Sequence, residues 1–338
     1  MISRRVLYVG SLQPGSTALH RMRALEQLGL TLTPFDTHPY LIAGSRVARS
    51  IRHRFARGPI VARLNRDLES AAGALEIEWV WIDKSVWLFP ETLSALAIPG
   101  RRLIHFAGDP MILFNRTRHF ISSIPSFDVH VTTKEYELDA YRRLGARRVI
   151  HLLHGYDAEL FGPRDVQPGD QARFGSDVCF VGRCEPHYRR LVAAASDTGA
   201  DVGIWGGWGK AMWRPSIRGL VRGSGVWCED YVTTLNATKI GLGLLSKHAA
   251  DGSTTRSFEI PACGTFLLAE RSAEHAQLFE EGKEAEFFDS GDEMKEKISW
   301  YLGHEEERRR IAAAGRAKCL RAGYSYLERM RSAIGMIE

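Results

Sequence analysis

The chain has 338 residues, 44% of them hydrophobic and 25% charged, a composition ordinary for a globular protein and a length that predicts two domains rather than one core. The net charge of +5, from 45 basic and 40 acidic side chains, is scattered, which excludes a nucleic-acid binder and supports an anionic small ligand or a membrane surface only weakly. Five cysteines (Cys179, Cys184, Cys228, Cys263, Cys319) stand in no CxxC or Cys/His spacing, which excludes a metal finger or disulfide scaffold and points to reduced thiols in the cytoplasm.

The apolar run VLYVG after MISRR is too short for a signal-peptide core, and no run approaches the ~20 apolar residues that span a bilayer. Membrane attachment, if any, is expected to be peripheral. Residues 6–9 form a short apolar run ending at Gly10, the pattern of a buried parallel strand. After the loop GSLQPGS, Ala18, Met22 and Leu25 give a helical stripe, with Ser16 as N-cap and Gly29 as terminator. Residues 30–35 read as the next strand. Beyond a basic amphipathic stretch at 43–72, strands are expected at 77–82, 102–106, 129–132 and 148–152, with a helix over 134–144.

The segment 155–176, rich in Gly, Pro and Asp, lacks periodicity and reads as a linker, centred on 161–176. The alternation then restarts: strand 178–181 ending at Gly182, helix 186–195, strands 201–205 and 240–245, helix 255–262, and strands 265–269 and 286–288. The C-terminus is helical, with Glu305/Arg309 and Glu306/Arg310 as i,i+4 pairs. This predicts an α/β fold with a Rossmann-like domain over 1–160, a second over 177–320, and a closing helix over 321–338 that can pack back on the first.

The most informative stretch is KIGLGLLSKHAADGSTTRSFEIPACGTFLLAE, residues 239–270. A buried strand runs into a polar loop and then a helix starting near Thr254 and Thr255, and backbone N–H groups at such a start suit phosphate or sugar oxygens. Ser253, Thr254 and Thr255 add hydroxyls and Arg256 a cation. Glu259, within the apolar run FEIPACG, can accept two hydrogen bonds from a ribose diol; the plainer alternative is that it caps or salt-bridges, with Arg256 as its i−3 partner.

The segment DGSTTRSFEIPACGTFLLAE resembles the nucleotide-sugar signature of GT-B glycosyltransferases, in particular the CgeB-like (spore maturation protein) group. The larger retaining families carry E-x7-E, with the second Glu three residues before an A-C-G turn. Here Glu259 stands three residues before Ala262, and the first acidic position is Asp251, a departure shared with the CgeB-like group. The resemblance extends to LYVGSLQPGSTALHRMRALEQLG, FDVHVTTKEYELDAYRRLGARRV, DVCFVGR and ERRRIAAAGRAKCLRAGYSY. It implies two Rossmann-like domains facing a cleft. By the same resemblance Glu259 holds the donor ribose, while Asp251, with a catalytic part, and Gly252, Ser253 and Thr254 line sugar and diphosphate.

A diphosphate leaving group needs positioned cations. Arg183 matches the Gly-Arg of related families, Arg189 is the nearest second cation, His187 and Arg190 are its neighbours, and Lys247 is another candidate; each can equally be a solvated charge. No DxD motif stands in a convincing context, so no metal and no cofactor are expected beyond the nucleoside diphosphate sugar. In the first half, Gly10 and Ser11 open a loop that can approach a ligand or simply turn tightly. His20, Arg21 and Asp109 are the polar residues expected to face the cleft, Asp109 being the candidate general base. Among Trp79, Trp81, Trp87, Trp205, Trp208, Trp213 and Trp227, Trp208 is best placed to stack on a sugar, although a buried strand-end aromatic is the commoner fate. The leading reading is sugar transfer to an unidentified acceptor. An epimerase using the same pocket, and a non-catalytic nucleotide-sugar or glycan-binding module, remain alternatives. The basic segment 45–58 can touch anionic lipid or be a solvated helix face.

Overall fold

The computed structural model describes residues 4–84, 87–209, 211 and 214–338. It divides into two compact units, one of residues 1–153 with 326–338 and one of residues 154–325.

The first unit carries a six-stranded parallel sheet in the order β2-β1-β3-β4-β5-β6, from β1 (Arg5–Gly10), β2 (Thr31–Asp36), β3 (Trp79–Asp83), β4 (Arg102–Ala107), β5 (Val129–Thr132) and β6 (Val149–His151). β1, β3, β4 and β5 are buried along almost their whole length, as strands covered on both faces must be. Ser16 caps the helix Thr17–Gln27, its hydroxyl accepting from the Leu19 amide, and Ala18, Met22 and Leu25 are buried as expected. The final helix, Tyr326–Ile337, packs on Thr17–Gln27 and adds Tyr326, Met330, Ala333 and Ile337 to the core of this unit. The expected helix 134–144 is a 3-10 turn, Glu135–Glu137, followed by a helix Leu138–Arg143. The break has a cause: the buried Glu137 carboxylate accepts the backbone amides of Met111, Ile112 and Leu113 instead of pointing along a helix.

The second sheet, also wholly parallel, has the order β12-β11-β10-β7-β8-β9: β7 (Ser176–Val181), β8 (Val202–Trp205), β9 (Val221–Gly223), β10 (Thr238–Gly243), β11 (Phe266–Glu270) and β12 (Glu286–Phe288). Counted within the unit this is 3-2-1-4-5-6 reversed, the Rossmann order. Residues 161–176 lie in this unit and include a helix, Pro168–Phe174. The helices Gly291–Gly303 and Glu305–Arg321 cover it, with Glu305 pairing Arg309 as expected, while Arg310 meets Glu307 rather than Glu306. No helix among the described residues is long and apolar enough to cross a membrane.

Candidate functional site

The second sheet reverses its winding at the centre. From β7 the chain goes outward to β8 and β9, then returns through the helix Cys228–Asn236 to β10 on β7's other side. The loops leaving β7 and β10 therefore run in opposite directions and open a crevice at the carboxyl ends, where open α/β sheets bind ligands.

Arg256 occupies this crevice. It is the first residue of the helix Arg256–Ala262, and its Nη1 and Nη2 donate to the carbonyls of Val181 (3.3 Å), the last residue of β7, and Leu244 (2.9 Å), just past the end of β10. Its guanidinium carbon lies 5.1 Å from the Phe180 ring centre. Arg256 is thus first a clamp between β7 and β10, and what it offers a ligand is its charge. Glycine is required beside it: a Cβ at Gly182 would sit 2.8 Å from the Phe180 ring, and one at Gly206 would sit 2.1 Å from the Gly182 carbonyl oxygen.

Glu259 lies within the first turn of the same helix and is only 6% exposed. Its Oε2 accepts from the Tyr231 hydroxyl at 2.9 Å. Burial first, and the Glu259 carboxylate second, push the Tyr231 phenol well above its usual range, so it stays protonated and is the donor. Sequence reasoning missed Tyr231, which reaches this point from another helix and has no spacing signal.

Between β10 and the helix, the loop is held from behind. Ser272 Oγ donates to the Gly252 carbonyl (2.6 Å) and Ser253 Oγ to Glu274 Oε2 (2.7 Å). The Thr254 amide donates to Ser257 Oγ at 3.0 Å; that hydroxyl lies 2.7 Å from His275 Nε2, whose Nδ1 lies 2.7 Å from the Glu270 carbonyl. Burial lowers His275, so its ring is neutral, and the chain of bonds assigns its proton to Nδ1. With Thr254 tied inward, no hydrogen bond among the described residues occupies the amides of Gly252, Ser253, Thr255 or Arg256, and Thr254 Oγ1 is buried without a partner among them. A phosphate-sized acceptor fits such a row of donors.

Glu270, at the end of β11, organises the cations and was also missed. One of its oxygens accepts the Leu245 amide; the other is 2.7 Å from both His187 Nε2 and Lys247 Nζ. A charged residue ending the apolar run FLLAE was the available signal. Burial chiefly raises the Tyr188 phenol, with Arg256 opposing and Glu185, Asp251 and Glu270 reinforcing, which brings Asp251 and Arg256 into the same electrostatic neighbourhood. Arg183 leaves β7 exposed, and Arg189 lies half-buried on the helix Pro186–Ser196; among the described residues neither has a carboxylate partner.

The first unit has its own crevice where the order turns at β1/β3, a cavity of about 310 Å3 lined by Ser11, Ser16, Lys84, Trp87 and Asp109 among others. Asp109 is exposed and paired with the ammonium of Lys84, which takes a left-handed backbone (φ 55°) at the end of β3. Gly10 serves packing: a Cβ there would crowd Tyr8, Ala18 and Asp83 at 3.2–3.3 Å. The expectation for His20 and Arg21 is corrected. His20 is buried and stacks on Tyr326, while Arg21, 1% exposed, forms a two-pronged pair with Asp83 (2.8 and 3.0 Å) that also takes in Tyr8.

Trp208 is corrected as well. It is 2% exposed, donates to the Gly182 carbonyl at 3.1 Å and meets Phe180 edge-on, so it supports the β7 loop from inside the core. Trp213 lies outside the described residues. A cavity of about 580 Å3 sits at the amino ends of β7, β10 and β11, and its side chains Lys239 and Arg222 are held by Asp177 and Asp201. Being at the opposite end of the sheet from the diverging loops, it does not share the crevice's chemistry. Among the described residues no group of three or more His, Cys, Asp or Glu could hold a metal ion.

Residues 183–335 match the model of the Glycosyl transferase-like family. The matched stretch begins at Arg183 and includes Lys247, the loop 251–255, Glu259 and Glu270. No curated protein matches the chain. Among solved structures it is similar to a glycosyltransferase from Rickettsia africae (11% identity, TM-score 0.69, covering 100% of this chain and 98% of that one). It is also similar to Anabaena Alr3699/HepE in complex with UDP and glucose (14%, 0.63, 98% and 99%). A third is described as a candidate UDP-N-acetylglucosamine 2-epimerase from Listeria monocytogenes (11%, 0.62, 98% and 96%). The chain has the GT-B fold, two parallel six-stranded sheets with flanking helices.

Proposed function

We propose that the protein transfers a sugar from a nucleoside diphosphate to an acceptor, with the donor seated at the β7/β10 crevice. The observation that carries this reading is the buried Glu259 carboxylate, which accepts from Tyr231, beside a loop in which no hydrogen bond among the described residues occupies the amides of 252, 253, 255 and 256. On this reading Glu259 accepts from the ribose hydroxyls, the loop amides and Thr254 Oγ1 receive the diphosphate, and Asp251 lines the sugar. Arg183, Arg189 and Lys247 stabilise the negative charge that grows on the leaving diphosphate, a task needing no metal. Asp251 at the first acidic position is what supports the finer reading, a relation to the CgeB-like group. In the first unit, Asp109 takes the acceptor proton once Lys84 releases it, and Ser11 lines that side.

The epimerase and binding-module alternatives predict different products. Incubation with UDP-, GDP- and dTDP-sugars, with and without acceptor extract and chelator, is expected to release nucleoside diphosphate and to do so equally with chelator. A changed sugar with no lasting release of diphosphate would assign epimerisation. A donor-induced rise in melting temperature with no chemistry would assign a binding module.

A further inference from the structure

On the first unit, the helix Arg46–Phe55 is built inside out. Val47, Ile51 and Phe55 fall on one line at i, i+4 and i+8 and are 69%, 55% and 59% exposed. The face turned inward carries Arg52, only 5% exposed, and the helix closes on the buried Ala56. Arg52 Nη2 donates to the carbonyls of Leu41 (3.3 Å) and Ala43 (2.6 Å), and its guanidinium carbon lies 5.3 Å from the Trp87 ring centre. A surface helix ordinarily attaches through its apolar stripe and shows its charges to water. Here an arginine makes the attachment and the apolar stripe is left outside, where Ile42, also exposed, adds a further apolar side chain.

The charge around this stripe has one sign. Residues 37–66 contain seven arginines and two histidines and no Asp or Glu. Among the described residues Arg63 finds a carboxylate, Asp67, whereas Arg46, Arg49, Arg54 and Arg57 have none. Ion pairing among the described residues therefore does not account for them. Apolar side chains flanked by unpaired arginines suit the boundary between headgroups and acyl chains of an anionic bilayer, where the former enter and the latter meet phosphates. An acidic protein surface would satisfy the arginines but leave a stripe of this exposure less well matched than a lipid surface does.

We propose that this helix docks the protein onto anionic membrane surfaces. The inference is independent of the donor site in the other unit. It also gives the crevice of the first unit a setting: Leu41 and Trp87, the residues that hold Arg52, are part of that cavity's wall, so docking brings the cavity's rim to the lipid surface.

The test is co-sedimentation of the full chain with vesicles of phosphatidylcholine alone and with about one-third phosphatidylglycerol, across a salt series. The protein is expected to sediment with the anionic vesicles, to stay in solution with the neutral ones, and to be released by salt. Two double variants, Ile51→Ser with Phe55→Ser and Arg46→Ser with Arg54→Ser, should each lower partitioning about tenfold or more. Their melting temperatures should be unchanged, because all four side chains are exposed. Equal binding to neutral vesicles, or variants that bind as the parent does, overturns the proposal. A parent that ignores both vesicles but dimerises through Ile51 and Phe55 overturns it in favour of a contact between two copies.

Discussion

The two sheets each place an arginine and a carboxylate at their switch points and treat them in opposite ways. In the first, Arg21 and Asp83 neutralise one another at 2% and 5% side-chain exposure, with Tyr8 completing the closed set. Burial alone would lower Arg21, but Asp83 together with Tyr326 and Tyr8 outweighs it and keeps the guanidinium charged. In the second, Arg256 is turned onto backbone carbonyls and Glu259 is oriented by a phenol. The Tyr231 phenol aims the Glu259 carboxylate without itself carrying a charge. A charged residue near a strand end is therefore not by itself a ligand site; the nature of its partner decides.

That contrast can be broken most severely in the first unit. Arg21→Ala leaves the Asp83 carboxyl buried without its cationic partner, which is expected to destabilise by about 3–5 kcal/mol. Urea unfolding should show this, while donor affinity per folded molecule stays unchanged; a loss below about 1 kcal/mol would mean the pair is not the closed structural set described here.

The first core also carries a pH dependence through a pair of adjacent buried rings. His105 and His130, whose Nδ1 atoms lie 3.1 Å apart inside the first core, are both pushed down by burial, His130 to about 4. Because the folded state holds these rings neutral, their contribution is present above the unfolded value near 6.5 and is lost as pH falls from there through about 4. The loss from His130 alone is about 3 kcal/mol by pH 4. His130→Phe should flatten that part of the stability–pH curve, and a curve that keeps its slope would contradict the assignment.

The smallest stability effect belongs to the second site. Lys247 is 58% exposed and paired with Glu270, so Lys247→Ala should change stability by about 0.5 kcal/mol or less. On the proposed role it nevertheless weakens donor binding several-fold. Unchanged affinity would return Lys247 to the surface charges.

Most strands and the helices flanking the second site were legible because apolar runs and Gly terminators mark parallel strands locally. β9 and the helix Cys228–Asn236 were not: the strand is three half-buried residues, and the helix begins at Cys228 with a left-handed backbone and no side-chain cap. The loop and Glu259 could be read from their own spacing and the resemblance. Tyr231, Glu270 and Lys84 could not be placed by spacing, since their roles rest on contacts across strands and helices. Trp208 and Arg21 show the converse, because a polar atom near a strand end can be consumed by the core.

Donor binding on the proposed reading depends most on Glu259 and the ribose hydroxyls it accepts from. Calorimetric titration of the parent and of Glu259→Gln with UDP, GDP and dTDP, alongside their melting curves, tests it directly. One nucleotide should bind the parent, and the variant should lose about 1.5–3 kcal/mol of that binding, roughly ten- to a hundredfold, while remaining folded. A folded Glu259→Gln protein that binds the same nucleotide as tightly as the parent would contradict the claim.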